Sequence, residues 1–156
     1  MLKKGDIAPD FTLYNSEKKQ VTLSELRGDH VLLLFFPLAF TSVCSAELCS
    51  VRDNISMYNS LNINVYGISV DSPYTLAKYK DELGLNFPLL SDFNKKVSKA
   101  YGSLYEKFSM EMLGVSKRSA FLINAEGIIQ YAEVLENPTE QPNFKAIQEE
   151  LSIFTK

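Results

Sequence analysis

The chain has 156 residues, 46% of them hydrophobic and 22% charged, which is one domain's worth of sequence with enough apolar residues for a substantial core. This composition excludes a disordered, collagenous or disulfide-scaffold chain. With 16 Lys and Arg against 19 Asp and Glu the formal net charge is -3, and phosphate binding wants a dense basic face, so nucleic acid is not an expected partner.

The N-terminal third reads as β structure followed by one helix. Phe11 to Tyr14 and Gln20 to Leu23 form a short hairpin around the polar turn 15–19. Ser24 to Arg27 suggests one helical turn. Val31 to Phe36 is a continuous apolar strand, the pattern of a central strand covered on both faces. The apolar run continues to Phe40 but contains Pro37 and is too short to cross a bilayer. Thr41 to Leu61 reads as a helix.

Asn64 to Val70 is a second central strand. Ser72 caps a helix that runs to Leu83, with Pro73 at its first position and Gly84 as its stop. Phe87 to Asp92 is a short extended piece before a helix over 94–101. Residues 103–117 show no periodicity. Arg118 to Asn124 and Ile128 to Val134 are strands joined by the turn 125–127, which makes them antiparallel. Asn143 to Phe154 is a closing helix. Strand–helix–strand units followed by a hairpin and a helix give an α/β fold: a central mixed sheet flanked by helices, thioredoxin-like, with an N-terminal hairpin extension. No repeat, low-complexity tract or linker divides residues 1–156, so a single domain is expected. The start of the chain lacks the apolar core of a signal peptide. The expected compartment is the cytoplasm, where thiols stay reduced, and no membrane association is expected.

Two cysteines in a chain of this length do not staple a small secreted domain. One histidine, His30, leaves too few soft ligands for a closed zinc site, and no metal or other cofactor is expected. His30 precedes the first central strand at the end away from Cys44 and reads as a surface turn residue. Cys44 falls in the first turn of its helix if Thr41 or Ser42 is the cap. The unpaired N–H groups and positive end of the helix dipole favour a thiolate there, as would a nearby cation. The alternative is that Cys44 is a small buried residue at a helix start.

Pro37-x-x-x-Thr41-x-x-Cys44 resembles the active-site signature of the peroxiredoxins. Gly5-Asp6-Ile7-Ala8-Pro9-Asp10-Phe11-Thr12-Leu13 is similar to the usual opening of that family. Phe87-Pro88-Leu89-Leu90-Ser91-Asp92 with Ala100-Tyr101-Gly102 resembles its middle, and Arg118-Ser119-Ala120-Phe121-Leu122-Ile123-Asn124 its arginine-bearing strand. The resemblance implies a thiol peroxidase in which Cys44 attacks hydrogen peroxide or an organic hydroperoxide and becomes a sulfenic acid. It implies that Thr41 positions thiolate and peroxide, that Pro37 limits water access, and that N–H groups near Val43 and Cys44 bind the peroxide oxygens. Arg118 is implied to hold the sulfur anionic and to stabilise charge on the leaving oxygen. Arg27 reads as a solvated charge and Arg52 as a surface or salt-bridge residue. Glu47 resembles a family position that orients the arginine, and reads equally as an ordinary first-turn acid.

The spacing of Cys44 and Cys49 resembles the bacterioferritin-comigratory, or Q-type, peroxiredoxins, whose second cysteine resolves the sulfenic acid. Phe35-Phe36-Pro37-Leu38-Ala39-Phe40-Thr41 is more similar to the one-cysteine alkyl hydroperoxide reductase E type. On an intact helix five residues turn about 140° and rise about 7.5 Å. Cysteine α-carbons beyond about 7 Å cannot be bridged without backbone movement. Cys49 can therefore resolve Cys44 only if the helix start unwinds; otherwise it is a buried helix residue and an external thiol resolves the enzyme. A thiol-disulfide oxidoreductase would need Cys-x-x-Cys, which Ser45-Ala46-Glu47-Leu48 does not supply. A non-catalytic redox switch at Cys44 is the remaining alternative. The resemblance implies thioredoxin, a glutaredoxin-like protein or a small thiol as reductant, and a monomer or a homodimer. Leu104, Tyr105, Phe108 and Met112 are candidates for shaping the peroxide pocket, or for core or dimer contacts.

Overall fold

A computed structural model describes residues 1–154. Seven strands form one mixed sheet: β1 (Thr12–Asn15), β2 (Gln20–Thr22), β3 (His30–Phe35), β4 (Ile63–Ser69), β5 (Leu89–Ser91), β6 (Arg118–Ile123) and β7 (Ile129–Leu135). Their spatial order is β2-β1-β5-β4-β3-β6-β7. The three strands at the centre, β3, β4 and β5, run parallel, while β6 joins β3 antiparallel and β1 joins β5 antiparallel. The helices are α1 (Ser42–Asp53), α2 (Ile55–Ser60), α3 (Pro73–Leu83), α4 (Lys96–Ala100) and α5 (Phe144–Phe154). This is the expected thioredoxin-like α/β fold with its N-terminal hairpin.

The alternation of side chains along β3 divides the core into two layers. Leu32 and Leu34, with Phe36 beyond the strand end, pack with Leu48 and Val51 of α1, Tyr58 of α2, Leu76 and Tyr79 of α3, and Ile147 and Leu151 of α5. Val31, Leu33 and Phe35 face the other way, onto Phe11, Val97, Tyr101 and Phe121. β3 is thus covered on both faces, which is why its sequence is an unbroken apolar run. Full burial of each such side chain stabilises the fold by about 1.5–3 kcal/mol. One layer carries Cys44 itself, so α1 is anchored by the same apolar face that presents the thiol.

Several local expectations change in detail. The helix expected from Thr41 to Leu61 is two helices that break at Asn54 (φ -113°, ψ 13°). The Asn54 side chain donates to the Ser50 carbonyl at 2.8 Å, and its N–H turns to Val51 O at 3.0 Å, so local bonds replace the helical ladder. The expected helix over 94–101 is shortened to α4, because Lys95 sits at φ 66° and Asp92 supplies the cap by accepting from the N–H groups of Val97 and Ser98. The helical turn spans Leu23–Leu26, one residue earlier than expected. His30 is the half-buried first residue of β3 rather than a surface turn residue.

α3 follows the sequence closely: Ser72 Oγ accepts from Thr75 N–H at 3.2 Å, Pro73 opens the helix, and Gly84 closes it at φ 60°, a conformation glycine adopts without penalty. Residues 103–117 form a loose hairpin closed by the bridges Leu104–Ser116 and Lys107–Leu113, with a single 3-10 turn at Ser109–Glu111. Among the described residues no helix is long and apolar enough to cross a membrane.

Candidate active site

The C-terminal end of β3 opens into the loop that sets up α1. Phe36 N–H still bonds Ile68 O of β4 at 2.9 Å, and then the chain leaves the sheet at the buried Pro37. Two further contacts fix the loop. Ala39 N–H donates to Asp71 Oδ2 at 2.8 Å, an oxygen that also accepts from Ser69 Oγ at 2.7 Å. Phe40 takes φ 64° and reverses the chain direction, with its ring 4.9 Å from that of Tyr79.

Thr41 is the N-cap by backbone position (φ -105°, ψ 150°), but its hydroxyl makes no cap bond. It donates instead to Leu38 O at 2.8 Å. The first backbone bond of the helix runs from Ser45 N–H to Thr41 O at 2.9 Å. The N–H groups of Ser42, Val43 and Cys44 therefore have no acceptor within the helix and point out of its start. Because the Thr41 hydroxyl proton is directed at a carbonyl, its oxygen is left as an acceptor. The arrangement offers a peroxide both kinds of hydrogen-bond partner: N–H donors from the helix and an oxygen acceptor from Thr41.

Cys44 is 1% exposed. Its sulfur accepts from Arg118 Nη2 at 3.2 Å. Arg118 arrives from the first position of β6, and 71 residues of sequence separate it from Glu47, whose Oε2 accepts from its Nη1 at 2.5 Å. The same guanidinium donates to Pro138 O from Nε at 3.3 Å and from Nη2 at 2.9 Å. Its planar fork is thereby fixed on three sides. Burial works against the Arg118 charge, but Glu47 and Cys44 outweigh it, and the guanidinium is held cationic above its ordinary range. Burial pushes the Glu47 carboxyl up to about 7, with Arg118 pulling the other way. Glu47 Oε1 is buried and has no hydrogen-bond partner among the described residues.

An open recess of about 110 Å³ leads to the sulfur, lined by Pro37, Thr41, Val43, Phe108, Arg118 and Thr139. A water molecule's share of liquid volume is about 30 Å³, so a small peroxide fits. A larger groove of about 710 Å³, between β1, α3 and α4, shares no residue with this recess. Both cysteines are free thiols; Cys44 is buried and Cys49 is half-buried farther along α1. The structure thus brings Pro37, Thr41, Val43, Cys44, Glu47 and Arg118 to one place. Cys49 lies on the same helix but outside the recess. Arg52 is held elsewhere, at Asp53 and at the Leu83 carbonyl. Among the described residues no group of three or more His, Cys, Asp or Glu is placed to hold a metal ion.

Three contributors carry weak sequence signals. The Pro138 carbonyl belongs to a loop with no pattern. Asp71 is a carboxylate at the end of β4, a place where parallel strands gather their sites, and that position was its one legible clue. Phe108 comes from the aperiodic hairpin, where of the four candidate residues it alone reaches the recess.

Comparison with known proteins agrees with this chemistry. Residues 4–132 match the AhpC/TSA family. Alkyl hydroperoxide reductase E of Mycobacterium tuberculosis is 41% identical over 137 residues, covering 86% of each chain. Peroxiredoxin Bcp of Escherichia coli is 38% identical over 131 residues, covering 83% of this chain and 84% of that one. The crystal structure of peroxidoxin BcpB from Mycobacterium tuberculosis superposes with a TM-score of 0.83 at 27% identity, over 97% of this chain and 96% of that one. With a match that spans most of the sequence and relatives that align over most of their own length, the chain belongs to the AhpC/TSA family, the peroxiredoxins, and is a thiol-dependent peroxidase.

Proposed function

We propose that Cys44 is the peroxidatic cysteine and that Cys49 resolves it as an intramolecular disulfide. The observation that carries the first half is the 3.2 Å contact between Arg118 Nη2 and the Cys44 sulfur at the start of α1. The sulfur, which is the nucleophile, sits between this cationic donor and the free N–H groups of the helix start. The sulfur attacks one oxygen of hydrogen peroxide or an organic hydroperoxide in line with the O–O bond. The S–O bond forms as the O–O bond breaks, and the departing oxygen takes a proton and leaves as water or an alcohol. Thr41 Oγ1 accepts from the peroxide hydroxyl, the Val43 and Cys44 N–H groups hold its oxygens, and Arg118 meets the charge that moves onto the leaving oxygen. Pro37 walls the recess against bulk water. Glu47 holds Arg118 in register.

The disulfide follows when the start of α1 opens. Cys49 attacks the Cys44 sulfenic acid, the S–S bond forms and hydroxide leaves as water. Opening of a helix end is far less demanding than global unfolding. This reading extends to a single domain over 1–156, acting in the cytoplasm as a peroxide-removing antioxidant, a monomer or homodimer reduced by thioredoxin, a glutaredoxin-like protein or a small thiol.

The test is intact mass and a free-thiol count after one equivalent of hydrogen peroxide, with no reductant. Loss of two hydrogens and both thiols in a monomeric species supports the Cys44–Cys49 disulfide. Gain of one oxygen with one thiol surviving leaves Cys44 as the nucleophile and assigns resolution to an external thiol. No change in mass overturns the assignment of Cys44.

A further inference from the structure

Tyr79, on α3, has no part in the chemistry above, yet it touches both sides of the cysteine turn. Its side chain is fully buried. Its hydroxyl and Ser45 Oγ are 3.0 Å apart, a hydrogen bond across 34 residues of sequence to the residue that follows Cys44. Its ring lies 4.9 Å from that of Phe40, just before the helix start, and 6.2 Å from that of Phe36 at the end of β3. Through Ser45 its hydroxyl lies beside the segment that must unwind for the two sulfurs to meet. Burial pushes that hydroxyl up to about 12, so it stays a neutral phenol. Phe40, the residue the ring holds, is in a left-handed conformation (φ 64°) that a bulky side chain adopts only when its surroundings enforce it.

We propose that Tyr79 is a positioning residue that latches the first two turns of α1. Its bond to Ser45 and its packing on Phe40 keep the Cys44–Cys49 segment helical, and so set how fast the sulfenic acid is resolved. The latch rests on the reading of Cys49 as the resolving cysteine only for its consequence, not for its existence. Arg118 and the helix N–H groups govern the attack on peroxide, and Tyr79 does not line the recess that admits it. The latch therefore divides the fate of the Cys44 sulfenic acid between two steps. In one, Cys49 sulfur attacks, an S–S bond forms and hydroxide leaves. In the other, the sulfenate sulfur attacks a second peroxide, gains its oxygen as the O–O bond breaks, and becomes a sulfinic acid. A tighter latch lengthens the life of the sulfenic acid and favours the second step.

Tyr79→Phe keeps the ring against Phe36 and Phe40 and removes only the hydroxyl; Ser45→Ala breaks the same bond from the other side. Hydrogen exchange by mass spectrometry is measured on peptides covering α1 in the reduced wild type, both variants and the double variant. Loss of one hydrogen bond predicts exchange at residues 45–49 roughly fivefold faster in each single variant, with no further gain in the double. The second-order rate of Cys44 oxidation stays unchanged. Disulfide formation speeds up by the same factor, and sulfinic acid appears only at higher peroxide. Unchanged exchange in both single variants, or effects that add in the double, overturns the latch. An equal fall in oxidation and resolution rates also overturns it, since a merely structural role slows both. Faster exchange with no disulfide in any form supports the latch and removes Cys49 from resolution.

Discussion

Arg118 Nη1 and Glu47 Oε2 meet at 2.5 Å with both side chains sealed from water, and this pair aims the other arm of the guanidinium at the Cys44 sulfur. A buried pair of this kind is demanding to keep and more demanding to break: loss of one partner strands the other charge, at about 3–5 kcal/mol. Arg118→Lys keeps a charge but replaces the planar fork with a single ammonium, which cannot meet Glu47, Cys44 and Pro138 together. The expected result is a folded protein whose Cys44 oxidises about 10²-fold more slowly, the loss typical of one electrostatic donor. Stopped-flow mixing with peroxide, quenched by a sulfenic-acid trap, measures it; an oxidation rate equal to wild type removes Arg118 from the chemistry.

The same pair predicts a pH dependence of stability. Burial pushes the Glu47 carboxyl from 4.5 up to about 7. Between those values the folded chain holds a proton that the unfolded chain has released, so folding loses stability as pH rises. The contribution is fully present below 4.5 and is gone above about 7. Glu47→Gln is neutral throughout and lacks this slope. Urea unfolding of both proteins at pH 5 and pH 8 gives the difference directly. Parallel stability changes in the two would show that Glu47 is ionised across the whole range.

Much of this was legible in the sequence, and for identifiable reasons. The unbroken run over β3, the Ser72-Pro73 start and Gly84 stop of α3, and the hairpin of β6 and β7 rest on local patterns that nothing distant overrides. Cys44 at a helix start and Arg118 at the head of an apolar strand were chemically conspicuous as well. Less legible was whatever depends on a side chain competing with its own backbone. Asn54 breaks the long helix by bonding Ser50, and Asp92 with Lys95 trims α4. Thr41, one of the two cap candidates, is the cap by backbone position, while its hydroxyl turns to the Leu38 carbonyl instead of capping the helix. The residues that brace the site from other elements, Asp71, Tyr79 and Pro138, are brought in by sheet order and loop path, which no spacing encodes.

The two cysteines predict different lesions. Cys44→Ser leaves an alcohol with no nucleophilic anion at neutral pH and abolishes peroxide turnover. Cys49→Ser leaves the first oxidation without an internal partner. Its oxidised form gains one oxygen instead of losing two hydrogens, and passes to the sulfinic acid at lower peroxide than wild type. Mass spectra across a peroxide titration check both. Turnover in Cys44→Ser would sink the assignment of the nucleophile, and an unchanged product in Cys49→Ser would sink that of the resolving thiol.

Asp71 provides the most direct test of how the loop before α1 is held. Its Oδ2 accepts from Ala39 N–H and from Ser69 Oγ, tying the loop that carries Pro37 and Thr41 to the end of β4. Asp71→Ala leaves both donors without their acceptor, and part-buried donors left unmade cost about 1–3 kcal/mol together with the order they imposed. Misplacement of reacting groups by about 1 Å can cost 10²-fold in rate, so oxidation of Cys44 should slow by about tenfold or more. Asp71→Asn keeps one acceptor oxygen at the same reach and should recover most of both losses. The oxidation rate and the melting temperature, measured together on the two variants, separate the effects. A loss of stability with no loss of rate would mean that the loop is aligned by the Phe40 and Thr41 contacts alone. Loss of both in Asp71→Ala with recovery in Asp71→Asn would show that a single acceptor at the end of β4 positions the peroxide recess.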